Sequence, residues 1–207
     1  MSRSRTPLEK SAQGGSLVKD ESHRQAALQG AALEGLEAEF VDLTEANLQS
    51  ANLSHARLSD CDLNNANLSL ARFASATLWQ CAIKQSRANN ACFDDALAEV
   101  NFWRGSDFAE ASFQRSQLSD TDFSGSKLAK ATFENARGER VIFQAVDGRG
   151  ACFRHSSFPD ADFSEADLTG ADFTHADLRG ANFRGAKLLD VQWKDANLEG
   201  ALFDEKP

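Results

Sequence analysis

Large apolar residues recur along this chain every fifth position, and the residues between them keep a fixed order of small, polar and turn-forming types. In residues 161–188, ADFSEADLTGADFTHADLRGANFRGAKL, the large residues fall at 163, 168, 173, 178, 183 and 188. The same frame runs from Leu28 to Phe203, 36 pentapeptides without an insertion or deletion. Of these 36 centres 15 are Leu, 13 Phe, two Trp and one Ile; Ala38, Ala88, Ala98, Gly138 and Gly148 depart. Two residues before the centre the chain has Ala in 22 of 36 cases. A period of five is neither helical nor that of a plain strand. It fits a short extended segment followed by a bend. The small residue and the centre, an i, i+2 pair, point to one side, and the polar residue between them (Asp42, Asn47, Asn52, Asp62) points out. The next two positions, rich in Gly, Ser, Asn, Asp and Thr, suit a corner. Repetition coils the chain around an apolar axis, with successive coils joined as a parallel ladder.

The number of segments per coil follows from the aromatics. From Trp103 to Phe203 every centre ending in 3 is aromatic, while the alternate centres are mainly Leu. Like stacks on like only if a coil holds an even number of segments, and four closes a small square.

The Ala-(Asp/Asn)-(Leu/Phe)-x-x consensus, as in Ala51-Asn52-Leu53 and Ala171-Asp172-Phe173, resembles that of the pentapeptide-repeat family. The resemblance covers residues 26–207. It implies an all-β fold, a right-handed quadrilateral parallel β-helix of about nine coils, roughly 43 Å long at a ladder spacing of about 4.8 Å.

Composition agrees with this geometry. The chain of 207 residues has 15 Phe but no Tyr and one Met. Its net charge is −9, and residues 26–207 alone carry 17 basic and 28 acidic side chains. That balance argues against direct nucleic-acid binding and against attraction to an anionic membrane. No apolar run is long enough to span a membrane. Residues 1–25 are polar and lack the apolar centre of a secretory signal, and four Cys read as reduced thiols. The expectation is a cytoplasmic protein with a polar, disordered tail over 1–25 and a rod over 26–207. Residues 26–40 fit the frame but also read as a helical capping segment, with Asp20 or Ser22 as N-cap.

The departures from the frame predict irregularity. Ala88 and Ala98 lie on opposite faces of one coil with no evident compensation, so 86–103 is expected to pinch or bulge, with Leu97 able to turn inward in place of Ala98. Gly138 and Gly148 repeat the arrangement, and there Val141 and Val146 enlarge the small position and can refill the axis. The last coil, with Trp193, Leu198 and Phe203, lacks a covering segment, which invites a homodimer through that end.

The sequence offers little chemistry. It has no Gly-rich phosphate loop, CxxC pair or HExxH, so neither catalytic residues nor a cofactor are expected. Cys61 and Cys81 fall in one inward column as buried thiols. Cys92 and Cys152 are three coils apart, too far for a disulfide. His55, His155 and His175 occupy one edge; a row at ladder spacing does not converge on a metal, and no metal site is expected.

Two surface features remain. Asp162, Asp167, Asp172 and Asp177 take the outward position on all four sides of one coil, as a solvated rim or as an acidic surface for a basic partner. Trp79, Leu97, Val100 and Phe102 fall at nominally outward positions on one face and its adjoining corner. This cluster is a candidate docking patch for a protein partner, provided that no bulge turns its members inward. The expected function is therefore a non-enzymatic interaction scaffold on an acidic rod. The family resemblance adds an alternative, since some members imitate DNA in shape and charge and bind DNA gyrase or topoisomerase IV, protecting it from quinolone-type poisons. A secreted bacterial effector is a third reading.

Overall fold

The computed structural model describes residues 6–205. Within it the pentapeptide frame forms a right-handed quadrilateral parallel β-helix. Each outward residue pairs with the one twenty positions on, as in Asp42↔Asp62, Asn47↔Asn67 and Asn52↔Arg72, so four pentapeptides complete a coil. We number the faces by their centres: the first carries 18, 38, 58 and onward, the second 23, 43, 63, the third 28, 48, 68, and the fourth 33, 53, 73.

Most corners are type II turns. The residue two after each centre has a left-handed backbone, as at Glu165 (φ 61°) and Gly170 (φ 71°). The N–H one further on donates back to the centre's carbonyl, as from Ala46 to Leu43 at 3.0 Å. The first face differs in its early coils. There the ladder runs one residue further and yields the strands β1 (Val18–Lys19), β2 (Glu37–Glu39), β3 (Arg57–Ser59), β4 (Thr77–Trp79) and β5 (Leu97–Glu99), in that order in one parallel sheet. From β3 onward the small position after these corners is Cys, Cys, Asn and then Thr, whereas β2 is followed by the apolar Val41. Cys61, Cys81, Asn101 and Thr121 donate to the carbonyls of Ala38, Leu58, Leu78 and Ala98, one coil below, at 3.6, 3.4, 3.0 and 2.8 Å. Asn101 also accepts the Cys81 N–H at 2.8 Å. These side chains are buried, and the bonds satisfy polar groups that burial would otherwise penalise.

The axis is filled by two aromatic columns on opposite faces. On the fourth face Phe73, Phe93, Phe113, Phe133, Phe153, Phe173 and Trp193 stack nearly parallel at 4.6–5.0 Å between centroids. On the second face Phe123, Phe143, Phe163, Phe183 and Phe203 do the same at 4.8–5.3 Å. The two columns meet edge to face, a favourable geometry for aromatic pairs.

Residues 86–103 neither pinch nor bulge. Their bridges keep the twenty-residue register, Ala88 and Ala98 are fully buried, and Leu97 points outward. The room left by the two alanines goes to larger rings nearby. Phe108 lies one coil above Ala88 in the same column and touches the rings of Phe93, Trp103, Phe113 and Phe123. Phe158 stands likewise above Gly138 and reaches Phe133 and Phe143, a coil below. Val141 and Val146 are buried beside the two glycines. A Cβ built on Gly138 would sit 2.8 Å from Val141 Cγ2, and one on Gly148 would sit 3.0 Å from Leu168 Cδ2.

From residue 6 onward the N-terminal segment corrects the expected tail, whose residues 1–5 lie outside the described residues. Helix α1 (Pro7–Gly14) begins at Thr6, whose side chain accepts the Glu9 N–H while Glu9 accepts the Thr6 N–H, a capping box with Pro at the first helical position. Glu9 Oε1 also accepts the Ala32 N–H at 3.2 Å, and Leu8 is buried against the first coils. The helix thus lies over the end of the rod, and coiling begins at Val18 instead of 26. Residues 26–40 are coil in the pentapeptide frame, with β2 at their end. At the other end Leu188, Trp193, Leu198 and Phe203 are only partly buried.

Candidate functional site

The corner between the first and second faces carries three exposed aromatic side chains of the early coils, Phe40, Trp79 and Phe102, while Leu17 and Leu70 are exposed elsewhere. Trp79 leaves the end of β4 and is 43 % exposed; Phe102, on the second face, is exposed to the same 43 %. Val100 lies between them at the corner, and Phe40 occupies the same corner three coils below. Leu97 is outward on β5 and half-buried. The cluster therefore spans two faces and their shared corner, whereas the sequence expectation put it on one face and a corner.

Local backbone geometry fixes this edge. Val100 has φ 57°, a region that β-branched residues avoid because the Cβ crowds the neighbouring carbonyl. A shallow groove of about 280 Å³ adjoins Trp79 on the first face, with Leu17, Arg57 and Thr77 also in its walls. Charge surrounds the apolar residues. Glu99 holds the register position above Trp79, and the Asp60 N–H donates to the Trp79 carbonyl at 2.9 Å. Lys19 pairs with Glu39 at 3.0 Å and lies over the Phe40 ring, while Lys84 lies over the Phe102 ring.

The acidic coil is arranged differently. Asp162, Asp167, Asp172 and Asp177 point off four separate faces, and three of them have basic partners: Lys187 at 3.2 Å from Asp167, Arg154 at 3.9 Å from Asp172 and Arg179 at 2.7 Å from Asp177. Asp162 instead accepts from the Ser164 N–H and from Asn182. The hydrogen bond from Arg179 holds the Asp177 carboxyl below its ordinary range, and the one from Thr169, with Lys187 adding to it, does the same for Asp167. Of the three ion pairs, Asp167–Lys187 is visible in the sequence as opposite charges at i and i+20.

The remaining candidates stay apart. His155 and His175 stack face to face at 4.9 Å, and His175 Nδ1 is 3.6 Å from Asp195. Among the described residues no group of three or more His, Cys, Asp or Glu is placed to hold a metal ion. Cys61 and Cys81 are buried thiols, and the hydrogen bond with Cys61, with burial adding to it, pushes the Cys81 thiol up. Cys92 and Cys152 are free and three coils apart. Among the described residues no helix is long and apolar enough to cross a membrane.

The repeat decides the family. The model of the family described as "Pentapeptide repeats" matches eight copies, over residues 24–60, 51–87, 102–125, 116–154, 149–185 and 176–205. The chain belongs to the pentapeptide-repeat family. Among solved structures it is similar to HetL, a pentapeptide-repeat protein involved in heterocyst differentiation regulation in the cyanobacterium Nostoc sp. strain PCC 7120. Identity is 24% and the TM-score 0.51, over 93% of this chain and 89% of that one. It is also similar to QnrB1, a plasmid-mediated fluoroquinolone resistance protein, at 17% identity and a TM-score of 0.47, over 91% of each chain. Rfr23 of the cyanobacterium Cyanothece 51142 matches at 26% identity and a TM-score of 0.44, over 45% of this chain. The match spans 64% of Rfr23, less than two thirds of its length. No curated protein sequence matches. The family match and the likeness to HetL establish the pentapeptide-repeat fold.

Proposed function

We propose that this pentapeptide-repeat chain is a non-enzymatic interaction scaffold, a rigid rod that offers the corner of Trp79, Leu97, Val100 and Phe102 to a protein partner. The observation that carries the reading is a cluster in which two exposed aromatic rings, Trp79 and Phe102, flank a β-branched residue kept in a left-handed corner. Large apolar side chains that stay in water where polar ones would serve equally well in the fold are candidates for burial by a partner. Affinity capture with the tagged chain and its Trp79→Ala and Phe102→Ser variants tests this. A partner recovered by the native chain and lost by both variants supports it; equal recovery rules the corner out.

A second reading is imitation of DNA toward a topoisomerase, favoured by the acidic excess of residues 26–207. Pairing of acids with bases along the later coils counts against it. A gyrase supercoiling assay with ciprofloxacin discriminates the two, and absence of both protection and inhibition dismisses this one. The half-buried Trp193, Leu198 and Phe203 further support pairing of two copies through the last coil; sedimentation that does not change with concentration would dismiss that pairing.

A further inference from the structure

The docking corner already displays, in its own side chains, the chemistry it favours. Lys19 Nζ lies 5.5 Å from the centroid of Phe40, and Lys84 Nζ lies 5.6 Å from that of Phe102. Trp79 is the third exposed ring of this corner, and indole is the best aromatic acceptor for a cation. Two carboxylates that make no ion pair among the described residues stand next to it, Glu99 one coil above and Asp60 bonded through its N–H to the Trp79 carbonyl. The imbalance extends along the edge. Its fifteen outward positions in five coils, 19, 20 and 22 through 99, 100 and 102, hold six acids and one Lys. The diagonally opposite edge over the same coils, 29, 30 and 32 through 109, 110 and 112, holds one Arg and one Glu. Negative charge is thus concentrated where the apolar side chains are, beyond the general acidity of the chain.

We propose that this corner binds a basic amphipathic segment of a partner protein. An arginine or lysine head lies over Trp79 between Asp60 and Glu99, and the segment's apolar side chains lie on Val100 and Phe102. The proposal rests on the corner being the docking surface, and adds the charge of what docks there. A planar guanidinium suits the site best, because it stacks on an aromatic face while its edge donates to carboxylates. Nucleic acid and anionic lipid are repelled by the same carboxylates.

The probe is a fluorescein-labelled helical peptide of about eighteen residues with a leucine stripe flanked by arginines, compared with a twin carrying neutral citrulline at each arginine. Fluorescence anisotropy with the full chain should show the arginine peptide binding at least about tenfold tighter than its twin, with the advantage shrinking as salt rises. The double variant Asp60→Asn, Glu99→Gln should lose that advantage and retain the weaker binding of the twin. Trp79→Ala should weaken both peptides, with Trp79→Phe restoring part of the loss. Equal binding of the two peptides, with both weakened by Trp79→Ala, overturns the cationic inference and leaves the docking corner standing. Binding that ignores Trp79→Ala and Phe102→Ser, or no binding of either peptide, overturns both. Circular dichroism and melting of each variant identify any that fail to fold.

Discussion

Val100 holds a backbone conformation that a β-branched side chain avoids, whereas the equivalent corner positions at 60, 80 and 120 hold Asp, Gln and Asp with similar φ. Asn tolerates that region because its short polar side chain bonds locally. The substitution Val100→Asn is therefore expected to raise stability, by about 1 kcal/mol, while weakening partner binding. Urea unfolding checks the first effect and affinity capture the second; a stability loss would show that Val100 is held by packing. Gly138 presents the opposite case. Its missing Cβ leaves space already taken by Val141 Cγ2 at 2.8 Å and by backbone atoms of Leu118 and Ser119 at 2.9 Å. Gly138→Ala should cost about 1–3 kcal/mol through overpacking, read by the same urea titration, and an unchanged midpoint would mean that the coil yields freely at this point. Both residues were visible in the sequence as exceptions to the frame, but only volume in three dimensions separates one that strains a corner from one that relieves the axis.

At the scale of elements, α1 does what the repeat cannot do for itself, covering the first coil and binding its free backbone. Glu9 joins the two parts, closing the helix cap on Thr6 and accepting the Ala32 N–H. Glu9→Ala should remove the reciprocal cap and leave a part-buried N–H of the first coils without that acceptor, a loss of about 1–2 kcal/mol. Faster amide exchange confined to residues near 18–40 checks this, and uniform exchange across the rod would contradict it. The helix escaped the sequence reading because its residues are mostly polar and precede the five-residue frame, yet the signal was present as Thr6-Pro7-Leu8-Glu9, a cap, a first-turn proline and a reciprocal glutamate. The number of faces was legible because alternate aromatic and Leu centres fix an even count. The straightness of 86–103 was not, because compensation comes from the next coil. Ala88 is read correctly only beside Phe108, and Gly138 only beside Phe158, twenty positions on. The polar small residues Cys61, Cys81, Asn101 and Thr121 follow the same rule, since each serves a carbonyl one coil below.

Across the whole molecule, that twenty-residue offset also organises charge. Arg115 binds Asp95 and Arg140 binds Asp120 one coil apart, while Arg149 and Arg179 reach back two residues to Asp147 and Asp177. Hydrogen bonds from Arg115, Arg149 and Arg179 hold the carboxyls of Asp95, Asp147 and Asp177 below their ordinary range. A carboxyl lowered in the folded state binds its proton less readily there than in the unfolded chain. Its contribution is therefore complete above the unfolded value and is lost as pH falls through the folded one. The rod should accordingly keep these contributions from pH 7 down to about 5 and lose them progressively below about 4, where free Asp takes up its proton. Each pair is exposed and modest alone, so the test is comparative. Arg115→Gln should melt below the native chain near neutrality, and the two melting temperatures should converge as the pH falls toward about 2. A gap that persists unchanged in acid would mean that Arg115 contributes through the packing of its aliphatic stem; a gap that closes assigns its role to charge across the coils.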